Sequence, residues 1–233
     1  MIALNNISLR IRKNELVGMM GPNGAGKTTL FNIISGFISP DRGRVYLRGE
    51  EITSLSPYII ARKGLVRTFQ DARTFERLTV LENIEIAIPR RRNSVFASKS
   101  IGKFIRTRAK EFLELIGLSK LQERSAASLT FGQQRLLGIA RALASEPDIL
   151  LLDEPSAGLN QEETSALLKV IKEIHRKGIT IFIIEHNIGM LMRVAERIIV
   201  LDKGRKIMEG APEEVKREER VLEAYFGRKR CLI

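Results

Sequence analysis

The sequence contains no tryptophan and a single cysteine, Cys231, which excludes an intrachain disulfide and with it a disulfide-stapled secreted scaffold. Histidine occurs only at His175 and His186, and with no cysteine cluster to join them a zinc centre is not expected. Long hydrophobic runs are missing too. None approaches the roughly 18 residues that a spanning helix needs, and Arg10, Arg12 and Lys13 interrupt the start before a signal-peptide core can form. A cytoplasmic chain that does not itself cross a bilayer is expected. Aromatic residues make up only 6%, and no basic patch is interleaved with them, which counts against a surface that stacks nucleic-acid bases.

What remains is ordinary globular material. The 233 residues are 44% hydrophobic and 28% charged, enough to bury a sizeable core and too apolar for a disordered chain. Lysine and arginine exceed aspartate and glutamate by 39 to 27, a net charge of +12. Phosphate ligands, lipid head groups and nucleic acid all suit that balance, and charge alone does not choose among them.

Residues Ile7, Leu9 and Ile11 alternate with Ser8, Arg10 and Arg12, and Val45 and Leu47 alternate with Arg44, Tyr46 and Arg48, a period of two that predicts half-buried antiparallel strands. Leu16 to Met20, Ile149 to Leu152, Ile179 to Ile184 and Ile198 to Leu201 are instead continuous apolar runs, as in strands covered on both faces. Helical spacing separates them at Leu30, Ile33 and Ile34, at Leu136, Ile139, Ala140 and Leu143, and at Leu167, Leu168, Ile171 and Ile174. An α/β layered domain with a mainly parallel sheet follows. From about Thr79 to Ser128 the spacing is helical, at Phe112, Leu113, Leu115 and Ile116, which predicts a helical subdomain inserted between sheet elements. Inside it Arg90, Arg91, Arg92, Lys99, Lys103, Arg106, Arg108 and Lys110 form the densest basic stretch. It reads as a solvated surface segment, with docking of an anionic lipid or a partner as the alternative.

Chemistry enters at Gly21-Pro22-Asn23-Gly24-Ala25-Gly26-Lys27-Thr28, a match to G-x-x-x-x-G-K-[ST] that follows a buried strand and opens a helical pattern from Thr29. Average composition produces such a match in a chain this long on the order of one time in a hundred, before that context is counted. Such a loop curls backbone N–H groups around phosphate oxygens, while Lys27 neutralises the β- and γ-phosphates and the Thr28 hydroxyl ligates Mg²⁺. Asp153 and Glu154 close the run Ile149 to Leu152 at the carboxyl end of a strand, where ligands of such sheets sit. Asp153 is placed to hold Mg²⁺, directly or through water, and Glu154 to act as general base on the attacking water. Gln70 follows the run Val66 to Phe69, and His186 follows Ile179 to Glu185, each at a position that serves a surface residue as well as a site residue. Thr130, Phe131, Gly132 and Gln133 open the amphipathic helix through Leu143, where a hydroxyl and a glycine either cap the helix or present N–H groups to an anion.

Taken in order, the loop at Gly21 to Thr28, Gln70, Leu129 to Gln133, Asp153-Glu154, Ser156-Ala157-Gly158-Leu159-Asn160 and His186 resemble the ATP-binding subunits of ABC transporters across nearly the whole chain. The resemblance implies a P-loop NTPase fold: a mainly parallel sheet, a small antiparallel β subdomain and an inserted helical subdomain. It implies one nucleotide-binding domain, with residues 1–78 and 129–210 as ATP-binding core, 79–128 as helical subdomain and 211–233 as C-terminal tail. ATP and Mg²⁺ are the implied ligands. Gly21 through Thr29, Gln70 and Thr130 through Gln133 would bind nucleotide, Thr28, Gln70 and Asp153 the metal, and Lys27, Glu154 and His186 would carry the hydrolysis.

The family resemblance also implies a head-to-tail dimer, homo- or heteromeric, in which Thr130 and Gly132 touch the γ-phosphate bound by the partner chain. Phe131 departs from the usual signature, which has glycine there. Met1 to Met20 contain no phenylalanine, tyrosine or tryptophan, whereas the family usually stacks an aromatic on adenine, so an upstream start or weak nucleotide binding is expected. Leu-Thr-Phe-Gly-Gln-Gln-Arg from Leu129, Ile-Glu-His-Asn from Ile184 and Val-Leu-Glu-Ala-Tyr-Phe-Gly from Val221 are similar to the branched-chain amino-acid transporter subgroup. That subgroup implies integral membrane subunits, an extracytoplasmic binding protein reached indirectly, and a peripheral place on the cytoplasmic face of the membrane. A soluble ABC-type ATPase that clamps nucleic acid or ribosomes is the rival reading, suggested by the +12 charge, and is not expected.

Overall fold

The continuous apolar runs become the middle of a six-stranded sheet. In the computed structural model, which describes residues 2–69, 74–89 and 98–226, the chain runs β1 (Leu16–Met20), α1 (Lys27–Ile34), β2 (Tyr46–Leu47), β3 (Glu50–Glu51), α2 (Pro57–Arg62), β4 (Leu65–Arg67), α3 (Val80–Glu85) and α4 (Ser98–Leu115). It continues through α5 (Phe131–Ala144), β5 (Ile149–Asp153), α6 (Gln161–Arg176), β6 (Thr180–Ile184), α7 (Ile188–Val194), β7 (Arg197–Asp202), β8 (Arg205–Gly210), α8 (Pro212–Arg217) and α9 (Glu219–Phe226). The strand order is β4-β5-β6-β1-β7-β8, and every pairing is parallel except the β7-β8 hairpin.

Strands buried on both faces need apolar residues at every position, but successive side chains still point to opposite sides. Leu16 and Met20 of β1, Leu150 and Leu152 of β5 and Ile181 and Ile183 of β6 enter the core under the long helices. Their neighbours Val17, Met19, Leu151, Phe182 and Ile184 enter a second core that covers α1 and the small hairpin. Between them Gly18 lets α7 approach, since a Cβ there would sit 2.9 Å from the Leu191 side chain.

The two antiparallel strands read from alternation fare differently. Tyr46–Leu47 pairs with Glu50–Glu51 around Arg48 and Gly49, both at positive φ (52° and 83°), the geometry of a two-residue type I′ turn. Residues 7–12 form no strand. Leu4, Ile7, Leu9 and Ile11 do pack, partly buried, on the second core, so the alternation reports burial correctly. The backbone carbonyls of that segment bond to long cations instead of a ladder: Lys206 Nζ donates to Ser8 O and Arg197 Nη2 to Arg10 O, each at 2.8 Å. Period two fixes which side chains face inward, not whether a neighbouring strand is there to pair.

Between residues 79 and 128 the regular elements among the described residues are helices joined by turns, with one isolated bridge, Thr79 to Ser125. Ile105, Ala109, Leu113 and Ile116, at helical spacing, are the buried stripe of α4 and its end. Of the basic stretch, Arg90, Arg91 and Arg92 lie outside the described residues. Arg106 is paired with Glu123 at 3.0 Å, and Arg108 with Glu111 and with Glu146.

Candidate functional site

The carboxyl ends of β1, β5 and β6 lie side by side, and each carries one part of the predicted chemistry. After β1 the chain turns through Gly21 to Gly26 into α1. Two of the glycines are required by what surrounds the loop: a Cβ on Gly21 (φ 156°) would lie 2.2 Å from Leu201 O, and one on Gly26 (φ 99°) would lie 2.7 Å from Ala3 O. The loop is therefore pressed against β7 and the N-terminal segment, which hold its shape. Helix α1 starts without a side-chain cap, so its first N–H groups are free to bind an anion. Lys27 is 5% exposed, and its ammonium donates to Gly21 O at 2.7 Å and Pro22 O at 3.1 Å. Burial pushes the Lys27 pKa down, with the Glu154 and Asp153 carboxylates pulling against it. The lysine is thus lashed across the mouth of its own loop, where a phosphate would meet it.

At the end of β5, Asp153 is buried and accepts from Arg67 Nη2 at 2.7 Å. Glu154 follows in the left-handed region, φ 46°, and its N–H donates to Ile184 O at 2.9 Å. A non-glycine residue held there is strained by about 1 kcal/mol or more, and such strain gathers at functional sites. The turn swings the Glu154 carboxylate to 2.7 Å from His186 Nε2, just past β6. Glu185, 2% exposed, accepts from Ser156 N at 2.7 Å and more loosely from Asn187 N at 3.5 Å. One buried carboxylate thereby ties the residues after Glu154 to those after His186. Burial raises the Glu185 pKa, the two N–H groups lower it, and the nearby Glu154 charge raises it further.

A cleft of about 790 Å³ opens beside this row, and Thr28, Arg67, Phe69, Arg141 and Asp153 line it. The Thr28 hydroxyl and Asp153 carboxylate are hard oxygen donors facing one space, which fits Mg²⁺ rather than a soft metal.

Thr130 to Gln133 form a different kind of structure. Thr130 Oγ1 accepts from Gln133 N at 3.3 Å, and Gln133 Oε1 accepts from Thr130 N at 3.0 Å, a capping box that satisfies the start of α5 from within. Phe131 is 51% exposed, with its ring against Gly158 and 4.9 Å from the Arg135 guanidinium. Gly132 is buried under Glu163, whose carboxylate oxygen would lie 2.5 Å from a Cβ there.

A model of the ABC transporter family matches residues 4–157. The chain belongs to that family. A second model, of branched-chain amino acid ATP-binding cassette transporters, matches residues 205–230. The high-affinity branched-chain amino acid transport ATP-binding protein BraF of Pseudomonas aeruginosa is 39% identical over 97% of this chain and 92% of its own length. A probable counterpart in Archaeoglobus fulgidus, LivG, is 35% identical over 97% of this chain and 90% of its own length. Among solved structures, a nucleotide-free ATP-binding cassette from an ABC transporter superposes with a TM-score of 0.83 at 33% identity, covering 97% of this chain and 93% of that one. A dimeric cassette in a post-hydrolysis state bound to ADP and Pi superposes at 0.78 with 31% identity and 90% coverage of each chain.

The protein is thus an ABC-type ATPase, the nucleotide-binding and hydrolysing subunit of a transporter, and the reading as a clamp on nucleic acid or ribosomes is not favoured. Among the described residues no helix is long and apolar enough to cross a membrane. Of the residues singled out in sequence, Lys27, Thr28, Asp153, Glu154 and His186 gather at the ends of three neighbouring strands, with Gly21 to Gly26 as their floor. The hydrogen bonds and packing of Thr130 to Gln133 run instead to its own helix, to Gly158 and to Glu163. Gln70 lies outside the described residues. Sequence reasoning assigned no role to Arg67 or Glu185, although each is a charge next to an apolar strand. A charge in such a place has to be partnered, and that was the available signal.

Proposed function

We propose that this ABC ATPase binds MgATP between its own phosphate loop and the Thr130–Gln133 helix tip of a second ATPase subunit, and spends the hydrolysis on import of branched-chain amino acids. Gly21 to Thr29 wrap the phosphates, and Lys27 turns from the Gly21 and Pro22 carbonyls to the β- and γ-phosphate oxygens. Thr28, Asp153 and Gln70 would hold Mg²⁺, which supplies charge neutralisation on the phosphates when bound. Glu154 takes a proton from water as the water oxygen bonds to the γ-phosphorus and the bond to ADP breaks. His186, hydrogen-bonded to Glu154, keeps base and water in register. Thr130 and Gly132, with Phe131 and Gln133 beside them, would close over the partner's γ-phosphate. Residues 1–78 and 129–210 act as the ATP-binding core and 79–128 as the helical subdomain that, with the segment at Gln70, passes closure on to integral membrane subunits. This places the protein on the cytoplasmic face of the membrane, with an extracytoplasmic binding protein delivering cargo.

The 2.7 Å contact between Glu154 and His186 carries this reading, because a strained backbone aims the carboxylate at the histidine across two strand ends. Glu154→Gln tests it. Turnover should fall about 10²- to 10³-fold, within the range removal of a general base produces, while ATP binding persists and the ATP-bound dimer accumulates. A variant that turns over like wild type overturns the assignment. Support for the cargo comes from the relatives' names and the C-terminal family match, and co-purification with membrane subunits followed by identification of the stimulating solute tests it.

A further inference from the structure

Arg67 is the one charge in β4, and its surroundings are unusual for a strand residue. Its Nη2 donates to Asp153 Oδ2 at 2.7 Å, and its Nη1 donates to Asn32 Oδ1 at 2.7 Å and Ser35 Oγ at 3.1 Å. Both side chains of the ion pair are almost fully enclosed, 5% exposed for Arg67 and 7% for Asp153. The rings of Phe31, Phe37 and Phe69 surround the guanidinium carbon at 5.6, 6.0 and 5.0 Å. A guanidinium is planar, permanently charged and forked, so these contacts fix it in one orientation.

A buried ion pair is weak evidence for stability, since apolar residues of the same volume would often serve as well or better. Its placement is what matters. The fork joins β5, which carries Asp153, to the far end of α1, the helix whose first turn carries Thr28. Those two residues face the same cleft, and Arg67 faces it with them.

We propose that Arg67 is a positioning residue for the metal: it clamps one oxygen of Asp153 and the end of α1 in a single register, leaving the carboxylate oriented for Mg²⁺. The inference rests on the reading of Thr28 and Asp153 as metal donors. Residues that orient a ligand in this way typically change metal affinity about 10- to 100-fold when removed.

The test separates metal from nucleotide. Binding of a fluorescent ATP analogue is measured in EDTA and then across a Mg²⁺ titration, for wild type, Arg67→Met, Arg67→Lys and Asp153→Asn. Arg67→Met should raise the Mg²⁺ midpoint at least tenfold with the affinity in EDTA within twofold of wild type. Arg67→Lys, which keeps the charge and loses the fork, should fall between and serves where the methionine variant does not fold. In an Asp153→Asn background, replacing Arg67 should shift the midpoint less than twofold further. A midpoint unchanged in both Arg67 variants overturns the proposal, as does a tighter one, which would make Arg67 a competitor of Mg²⁺. An equal loss of affinity in EDTA overturns it too, since the role would then be structural. If Asp153→Asn itself leaves the midpoint unmoved, the metal assignment beneath the proposal falls with it. A shift for Asp153→Asn without one for Arg67 sinks only the clamp.

Discussion

Lys27, Asp153, Glu154 and His186 are each held by bonds to other parts of the same chain, whereas Thr130 to Gln133 close their polar groups on themselves and leave the Phe131 ring half in solvent. The first group is assembled by the sheet, because parallel strands deliver their carboxyl ends to one edge. The second is a finished helix start. Its capping groups are paired within the helix, Gly132 is buried under Glu163, and Thr130 and Phe131 are the exposed residues of the tip. On the reading proposed above, the two belong to different halves of a composite site, the first carrying the reactive groups and the second closing over a ligand held by another subunit.

The largest expected effect breaks the first half. Lys27→Ala should weaken ATP binding at least 100-fold, measured by titration with a fluorescent analogue, because the variant loses the buried cation facing the phosphates. Affinity within a few-fold of wild type would detach the loop from nucleotide. Gly132→Ala acts on the second half and should separate the two. Its Cβ would meet the Glu163 carboxylate, which completes the cap of α6 by accepting from Asn160 N at 3.1 Å. Losing that cap costs roughly 0.5–2 kcal/mol, a modest drop in melting temperature. Turnover should fall tenfold or more while ATP affinity of the monomer stays within twofold. If monomer affinity falls in step with turnover, the tip belongs to the same chain's site and the composite reading fails.

The same comparison marks how far the sequence could be read. Glycine spacing, a buried strand before it and a carboxylate pair at another strand end identify the first half, because each follows from local chemistry that one segment carries alone. The strand runs from Leu16, Ile149, Ile179 and Ile198 were legible for the same reason. What escaped depends on two segments at once. Arg67 looks like any strand arginine until β4 lies beside β5 and α1, and Glu185 looks like a strand-end acid until the loop after Glu154 folds over it. Residues 7–12 show the opposite error, a correct inward-outward pattern with no partner for its backbone.

Glu185 gives the smallest effect and the finest probe of the first half. Its pKa is raised in the fold above the ordinary 4.5, chiefly by burial, so the native state binds more protons than the unfolded chain between that value and the raised one. Stability contributed by Glu185 is therefore greatest below about 4.5 and declines as pH rises through the folded pKa. Glutamine keeps an oxygen for Ser156 N–H and cannot titrate. The melting-temperature advantage of wild type over Glu185→Gln should shrink as pH rises through that window and level off above it. An advantage that grows with pH would mean the carboxylate is stabilised in its charged form, and the bond to Ser156 would then outweigh burial. Glu185 touches both the loop after Glu154 and the residues after His186, so Glu185→Gln should also lower kcat a few-fold with KM for ATP unchanged, through the alignment of that pair.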